Sequence, residues 1–216
     1  GFAMPGPFDY VNGICLIKGV PKYEHLYGIN VSSRIRNAIG LKADKPIRFM
    51  NDATAFGMGE ARTGEAAGYA RTIAITLGTG LGSAFIEDYI PVVTGASVPE
   101  SGYVYHMGYK DGIADDYFST RWFVARFKQL TGKDVEGVKA IAEEARKNSQ
   151  VRDLFHEYGR SLAGFLAPWL KQFGAEALVL GGNISNAYDI FAASFESELT
   201  RYNCYTKVYA SVLKDD

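Results

Sequence analysis

Two short segments of the chain carry residue types that could transfer a phosphoryl group. Asn51 and Asp52 follow an apolar stretch, where a predicted strand gives way to a predicted helix, and the Asp52 carboxylate can accept a proton from a hydroxyl group. The segment 76–83 has a Gly-Thr-Gly-Leu-Gly core, in which backbone amides can close around phosphate. Together the two segments indicate phosphoryl transfer to a small hydroxylated molecule, whereas either one alone is a weak signal.

The glycine segment Gly78–Gly82 leaves one predicted strand and enters the next. A dinucleotide-binding fingerprint needs a helix directly after its glycines, so the pattern disfavours a Rossmann site. A tight hairpin whose amides donate to phosphate oxygens fits the sequence better. An ordinary glycine-rich turn is the structural alternative.

Asp52 has three possible roles on sequence grounds. It could be a general base, a metal contact, or the N-cap of a helix from Ala53 to about Arg62. For an isolated Asn-Asp pair the capping role is the more common one. The roles need not exclude each other, since Asn51 could orient a ligand hydroxyl while Asp52 accepts its proton.

Two further features could contribute to a ligand site. Gly181-Gly182-Asn183 ends an apolar strand, 177–180, and in open α/β sheets ligands gather at the carboxyl ends of strands, where glycines let a flat ring approach. A plain strand-to-helix turn is the alternative. His106 lies in a polar, aromatic loop, 100–116, and a lone histidine is more often structural than catalytic.

Composition excludes several classes of protein. The 216 residues are 47% hydrophobic and 22% charged, which is typical of a globular protein of one large or two small domains. The net charge is −1 and the basic residues are scattered, so this segment has no nucleic-acid footprint. No apolar run could span a membrane, and the only cysteines, Cys15 and Cys204, favour a reducing compartment.

The hydrophobic periodicity predicts an α/β fold without internal repeats. Both ends of the sequence resemble interrupted elements, so we expect an incomplete module. The predicted strands are 47–50, 72–77, 81–87, 90–94, 177–180 and 207–213, and the predicted helices are 31–39, 53–62, 117–130, 135–148, 151–173 and 186–202.

In combination, these motifs resemble the ROK family of sugar kinases and sugar-responsive repressors. The resemblance runs in the family's order through Met4–Pro7, Asn51–Ala55 with Gly59-Glu60, the 76–83 loop and Leu178–Gly182. It implies an actin-like (ribonuclease H-like) ATPase fold with two lobes, of which residues 1–62 are a remnant of the first and 63–216 are the second. It also implies a cytoplasmic homodimer that binds a small-molecule sugar.

The resemblance implies ATP-dependent phosphorylation of a hexose or N-acetylhexosamine hydroxyl, with Mg²⁺ accompanying the nucleotide. Asp52 would be the catalytic base. The remaining site residues implied by the family are the sugar ligands Asn51, His106, Asp115 and Gly6, the phosphate ligands Gly78, Thr79, Gly80 and Gly82, and the adenosine-flanking Gly181, Gly182 and Asn183.

The chain also departs from the family pattern. Gly102–His106 keeps the family histidine, but Tyr103 occupies the position of a sugar-binding glutamate, and Asp115 takes the place of a second glutamate. No cysteine lies between His106 and Tyr117, so we predict no structural zinc. The family's opening Asp-x-Gly-Gly-Thr hairpin has no counterpart, so a polypeptide of only these residues should be a poor kinase.

Two other functions stay open on sequence grounds. The altered Tyr103 position and the missing zinc segment motivate a sugar-sensing transcriptional repressor whose DNA-binding domain precedes this segment. An actin-like assembly or chaperone protein would hydrolyse ATP without any sugar.

Overall fold

The computed structural model describes residues 1–212, and the chain folds as two compact α/β units. The first unit is Gly1–Ala55 and the second begins at Phe56. The two predicted lobes, residues 1–62 and 63–216, come from the family resemblance. The boundary between them stays a prediction.

The first unit is built around a short parallel strand pair. Its core consists of Phe8, Cys15 and Ile17, with Phe49 packed against them. The elements are β1 (Phe2–Met4), β2 (Phe8–Asp9), β3 (Ile14–Cys15), a 3₁₀ helix (Pro21–Leu26), α1 (Val31–Ala38) and β4 (Phe49–Asn51). Strands β1 and β4 pair in parallel, and β2 and β3 form an antiparallel hairpin.

Helix α1 confirms its predicted boundaries closely. The side chain of Asn30 accepts a hydrogen bond from the Ser33 amide at 2.8 Å, which caps the first turn. Gly40 follows the helix with φ +61°, a left-handed conformation that glycine adopts without strain. Helix α2 (Asp52–Thr63) begins in the first unit and continues into the second.

The second unit contains a mixed five-stranded sheet. Its elements are β5 (Arg71–Leu77), β6 (Leu81–Glu87), β7 (Ile90–Pro91), a 3₁₀ helix (Glu100–Gly102), β8 (Gly108–Tyr109), β9 (Gly112–Ile113), α3 (Ala114–Tyr117), α4 (Thr120–Thr131), α5 (Val138–Ala145), α6 (Ser149–Phe173), β10 (Ala177–Gly181), a 3₁₀ helix (Ser185–Ala187), α7 (Tyr188–Arg201) and β11 (Lys207–Ala210). The strand order is β11-β10-β5-β6-β7, with β10 parallel to β5 and β11. Every residue of β10 is buried, as expected for a parallel strand covered on both faces.

The β5–β6–β7 meander matches its predicted topology but not its predicted length. Asp88 and Tyr89 both have positive φ, at 48° and 68°, which is the geometry of a tight hairpin turn. Strand β7 spans only Ile90–Pro91 rather than 90–94, because a proline has no N–H to donate and belongs at a sheet edge.

Three predicted helices begin later than expected for identifiable backbone reasons. Phe118 and Ser119 leave helical geometry, so α4 starts at Thr120 and the preceding turn is the separate helix α3. Gly137 is fully extended, so α5 starts at Val138. A 3₁₀ turn precedes α7, which starts at Tyr188.

Strand positions shift by small amounts at both ends of the chain. The strand predicted at 47–50 is β4, at Phe49–Asn51, and the last strand is Lys207–Ala210. Leu213, the predicted end of the last strand, lies outside the described residues.

Helices α6 and α7 pack against each other with no space for a side chain at Gly159. A Cβ on Gly159 would lie 2.9 Å from the carbonyl oxygen of Phe191 and 2.5 Å from Ser194 Oγ. Gly164, five residues later on α6, would meet only Tyr202, at 3.5 Å or more. The two glycines therefore differ in the space around them and provide a matched pair.

We expect Gly159→Ala to lower the free energy of unfolding by about 1–2 kcal/mol, because a rigid backbone carbonyl blocks the new methyl group. Gly164→Ala should leave stability unchanged or raise it by up to about 1 kcal/mol through helix propensity. Urea denaturation of both variants measures the difference. Equal stabilities would contradict the close α6–α7 approach at Gly159.

Candidate active site

Asn51, rather than Asp52, caps helix α2. The Asn51 side-chain oxygen accepts a hydrogen bond from the Thr54 amide at 3.1 Å, the usual contact of an N-cap residue. Asp52 is the first helical residue, is exposed, and accepts a local hydrogen bond from the adjacent Ala53 amide at 2.8 Å. The predicted cap is therefore wrong by one residue, and capping does not require the Asp52 carboxylate.

Tyr10 links Asn51 to the first residues of the chain. The Asn51 amide nitrogen donates to the Tyr10 hydroxyl at 3.2 Å, and this hydroxyl donates to the Met4 carbonyl at 3.1 Å. A Cβ on Gly6 would lie 3.5 Å from the same hydroxyl, an ordinary contact. Two predicted sugar ligands, Gly6 and Asn51, thus lie around one tyrosine that no sequence motif singled out.

The glycine segment is a tight hairpin, as predicted. Leu77 of β5 pairs with Leu81 of β6, so Gly78–Gly80 form the connection. The Gly78 carbonyl accepts two hydrogen bonds from Thr120, from the amide at 2.8 Å and from the hydroxyl at 2.9 Å. Within residues 1–212, the amides of Thr79 and Gly80 donate to no protein acceptor, so both can serve an anion.

Asp115 fixes the other side of this hairpin. Its carboxylate accepts a hydrogen bond from the Leu81 amide at 2.6 Å and forms an ion pair with Arg121. A Cβ on Gly80 would lie 3.1 Å from the same carboxylate, so a glycine leaves room for Asp115. The role of Asp115 as a sugar ligand stays a prediction, while its observed contacts are with the hairpin and Arg121.

His106 lies on an exposed aromatic loop. Its ring meets the Tyr105 ring edge-on at a centroid distance of 5.0 Å, and Tyr105 is tilted against Tyr103 at 6.3 Å. Its proposed contact with sugar is untested.

Gly181 and Gly182 are glycines for reasons of packing. A Cβ on Gly181 would overlap the Phe56 ring, and Gly182 has φ +84° with its backbone against that of Leu77. The Ile184 amide donates to the Leu77 carbonyl at 3.0 Å. The end of β10 is therefore fixed directly beside the start of the glycine hairpin.

A cleft of about 910 Å³ opens beside these two strand ends in the second unit. It is in the size range of nucleotide and cofactor sites. Thr79, Gly182 and Asn183 line it, whereas Gly78, Gly80, Gly82 and Gly181 do not. The other lining residues are Thr120, Glu136, Gly137, Val138, Lys139, Ala142, Glu143, Arg146, Ser185, Asn186, Ala187 and Ser211.

Sequence reasoning missed the α5 side of this cleft. The sequence predicted only a helix at 135–148 and no contact of that helix with a ligand. Helix α5 buries Val138, Ile141, Ala142 and Ala145 and presents charged residues to the cleft. An amphipathic helix of this kind is common, so the pattern contained no signal that distinguishes a ligand wall from ordinary surface.

The part of the chain that the structure describes holds neither a metal-binding cluster nor a membrane-spanning helix. Over the described part of the chain, no three His, Cys, Asp or Glu side chains group in a way that could hold a metal ion. The prediction of no structural zinc stays a prediction. Within residues 1–212, no helix combines the length and the apolar character needed to cross a membrane.

The chain resembles known sugar kinases over most of its length. The N-acetyl-D-glucosamine kinase of Pectobacterium carotovorum is 24% identical over 178 residues, which cover 73% of this chain and 58% of that protein. The glucokinase of Thermotoga maritima is 24% identical over 227 residues, which cover 94% of this chain and 69% of that protein. The chain thus spans between 58% and 69% of the length of these relatives.

Solved structures show the same fold. A ROK hexokinase from Thermus thermophilus has a TM-score of 0.81 at 18% identity, covering 98% of this chain and 72% of its own. A ROK glucokinase from Streptomyces griseus, in complex with glucose and AMPPNP, has a TM-score of 0.77 at 23% identity. The match covers 97% of this chain and 75% of that one. A ROK family transcriptional regulator, a homologue of the Escherichia coli MLC protein, has a TM-score of 0.80 at 20% identity. The match covers 99% of this chain and 58% of that one.

These likenesses show the fold, which is the α/β actin-like ATPase fold expected from the sequence. The sequence profile of the ROK family matches residues 13–216. The chain therefore belongs to the ROK family.

Proposed function

We propose that the full-length protein is an ATP-dependent sugar kinase that phosphorylates a hydroxyl of a hexose or N-acetylhexosamine. The observation that carries the proposal is that Asn51 caps helix α2, which leaves the exposed Asp52 carboxylate available for chemistry. The kinase relatives and the glucokinase solved with glucose and AMPPNP support the same class of reaction.

Asp52 would orient the attacking hydroxyl and accept its proton. Phosphoryl transfer passes through a loose transition state, so placing the hydroxyl in line matters more than deprotonating it early. A carboxylate at the first position of a helix, held by the capped backbone around it, has the fixed position that this role requires.

The second unit would bind the nucleotide. The amides of Thr79 and Gly80, which donate to no acceptor within residues 1–212, would donate to phosphate oxygens, and Gly182 with Asn183 would flank the adenosine in the cleft. Asp52 belongs to the first unit, so the proposal assigns the acceptor hydroxyl to the first unit and the nucleotide to the second.

Mg²⁺ would enter with ATP as the MgATP complex. In phosphoryl-transfer sites Mg²⁺ is held largely by substrate phosphates and water, so a dedicated cluster of protein carboxylates is not required. When bound, the ion neutralises phosphate charge.

The homodimer and the cytoplasmic location stay predictions that rest on family resemblance.

A sugar-sensing transcriptional repressor is the second candidate. Tyr103 replaces a family glutamate that would accept hydrogen bonds from sugar hydroxyls, and a ROK transcriptional regulator shares this fold. A helix-turn-helix segment encoded upstream of this chain would favour the repressor, whereas an Asp-x-Gly-Gly-Thr segment there would favour the kinase.

Asp52→Asn should lower sugar-dependent ATP turnover of the full-length protein by about 10²–10⁴-fold, because the amide cannot accept the hydroxyl proton. Thermal stability should change little, since Asn51 provides the helix cap. The assay is ADP release across a panel of hexoses and N-acetylhexosamines.

Asp44→Asn is the matched control, because Asp44 is an exposed carboxylate of the same unit whose ion-pair partner is Lys45. It should retain wild-type turnover. Wild-type turnover in Asp52→Asn would show that Asp52 takes no part in the chemistry. ATP hydrolysis at a rate that does not depend on sugar would favour an assembly or chaperone ATPase.

Tyr103→Glu should tighten sugar binding about 10- to 100-fold if this position lies against the sugar, because the carboxylate restores a charged hydrogen-bond acceptor worth about 1.5–3 kcal/mol. Tyr105→Glu, at the neighbouring exposed ring, is the control and should leave sugar affinity unchanged. Calorimetric titration with the best sugar from the panel measures both. An unchanged affinity in Tyr103→Glu would show that the position does not contact the sugar.

A further inference from the structure

The glycine hairpin has a carboxylate directly beside the amides that would hold phosphate. Asp115 Oδ1 accepts a hydrogen bond from the Leu81 amide at 2.6 Å, and a Cβ on Gly80 would lie 3.1 Å from the same oxygen. The amides of Thr79 and Gly80 belong to the same connection between β5 and β6. A negative charge this close opposes the approach of an anion to those amides, because like charges repel at a separation of a few ångströms.

Arg121 supplies a positive charge that compensates Asp115. Its Nη2 donates to Asp115 Oδ2, the oxygen that does not bind the Leu81 amide, and also to the Asp115 carbonyl at 3.5 Å. Asp116 is the next carboxylate, and its Oδ1 lies 4.0 Å from the same nitrogen. One oxygen of Asp115 therefore holds the hairpin, while the other is paired with a guanidinium.

Arg121 is placed by the helix that also holds the start of the hairpin. It is the second residue of α4, and the first residue, Thr120, donates to the Gly78 carbonyl through both its amide and its hydroxyl. Helix α4 thus fixes the hairpin at Gly78 directly, and at Leu81 through Arg121 and Asp115. Neither Arg121 nor Asp115 lines the cleft. An effect of this pair on a ligand in the cleft would therefore pass through its charge and through the hairpin it holds.

We propose that Arg121 is a positioning residue for phosphate binding. It neutralises Asp115, so that Asp115 can hold the Leu81 amide without repelling a phosphate at the hairpin. The proposal rests on the proposed use of ATP, and it concerns the phosphate chain alone. Loss of the cation should matter only while residue 115 is charged, because an uncharged acceptor there needs no compensating partner.

Calorimetric titration of the full-length protein with inorganic tripolyphosphate, MgATP and adenosine tests the proposal. Arg121→Ala should weaken the binding of tripolyphosphate and MgATP about tenfold, the effect of one uncompensated charge a few ångströms from the ligand near a protein surface. Adenosine carries no phosphate, so its affinity should stay at the wild-type value. Arg121→Lys keeps the positive charge and should retain most of the tripolyphosphate affinity.

The double variant Arg121→Ala with Asp115→Asn tests whether Arg121 acts through Asp115. The asparagine oxygen can still accept from the Leu81 amide but carries no charge, so tripolyphosphate affinity should return to the wild-type value. None of the three ligands is a sugar, so a role of Asp115 towards sugar would not affect the comparison.

Lys128→Ala is the matched control. Lys128 also lies on α4, pairs with Asp134 at 2.7 Å, and has a side chain that is 59% exposed, against 58% for Arg121. The variant removes the same charge from the same helix and should bind all three ligands as the wild type does.

Four results would overturn the inference, and only the last would also overturn the proposed kinase function. Unchanged tripolyphosphate affinity in Arg121→Ala would show that the pair has no effect on phosphate binding. An equal loss of adenosine affinity would show that this variant disturbs more than the phosphate site. A double variant as weak as Arg121→Ala would show that Arg121 does not act through Asp115. The fourth result is a wild-type protein that binds neither tripolyphosphate nor MgATP.

Discussion

Helix α2 needs acceptors for the backbone N–H groups of its first turn, and the choice of acceptor decides what Asp52 can do. Asn51 meets that need by accepting from Thr54, and Tyr10 fixes the Asn51 amide from its other side. A carboxylate used as a cap would have its oxygens committed to backbone. Because Asn51 accepts from Thr54, the Asp52 carboxylate is left with one local hydrogen bond, from the adjacent Ala53 amide to Oδ1, and within residues 1–212 its second oxygen accepts none.

Side chains from other elements also hold the glycine hairpin in place. Thr120 binds the Gly78 carbonyl and Asp115 binds the Leu81 amide, so both ends of the connection are fixed by side chains from elsewhere. Within residues 1–212, the two amides between them, of Thr79 and Gly80, donate to no protein acceptor. Rigid ends with free donors in the middle reduce the ordering that phosphate binding would otherwise require.

Local patterns predicted most of the fold and the parts of the site that depend on backbone. Alternating apolar residues identified β5 and β6, and the glycines between them predicted a hairpin correctly. Long-range side-chain contacts were not predictable, because nothing near Asp115 in sequence indicates that it reaches Leu81. Tyr10 was missed for the same reason, since its hydrogen bonds with Asn51 and Met4 arise from tertiary contacts rather than from a motif.

The proposed reaction passes a phosphoryl group from ATP to a sugar hydroxyl. The most direct measurement is ³¹P NMR of the full-length protein with MgATP and the sugar that gives the largest thermal shift. The account predicts a sugar-phosphate resonance that grows in a one-to-one ratio with ADP. Inorganic phosphate growing with ADP in place of a sugar phosphate, or no ADP at all, would contradict it.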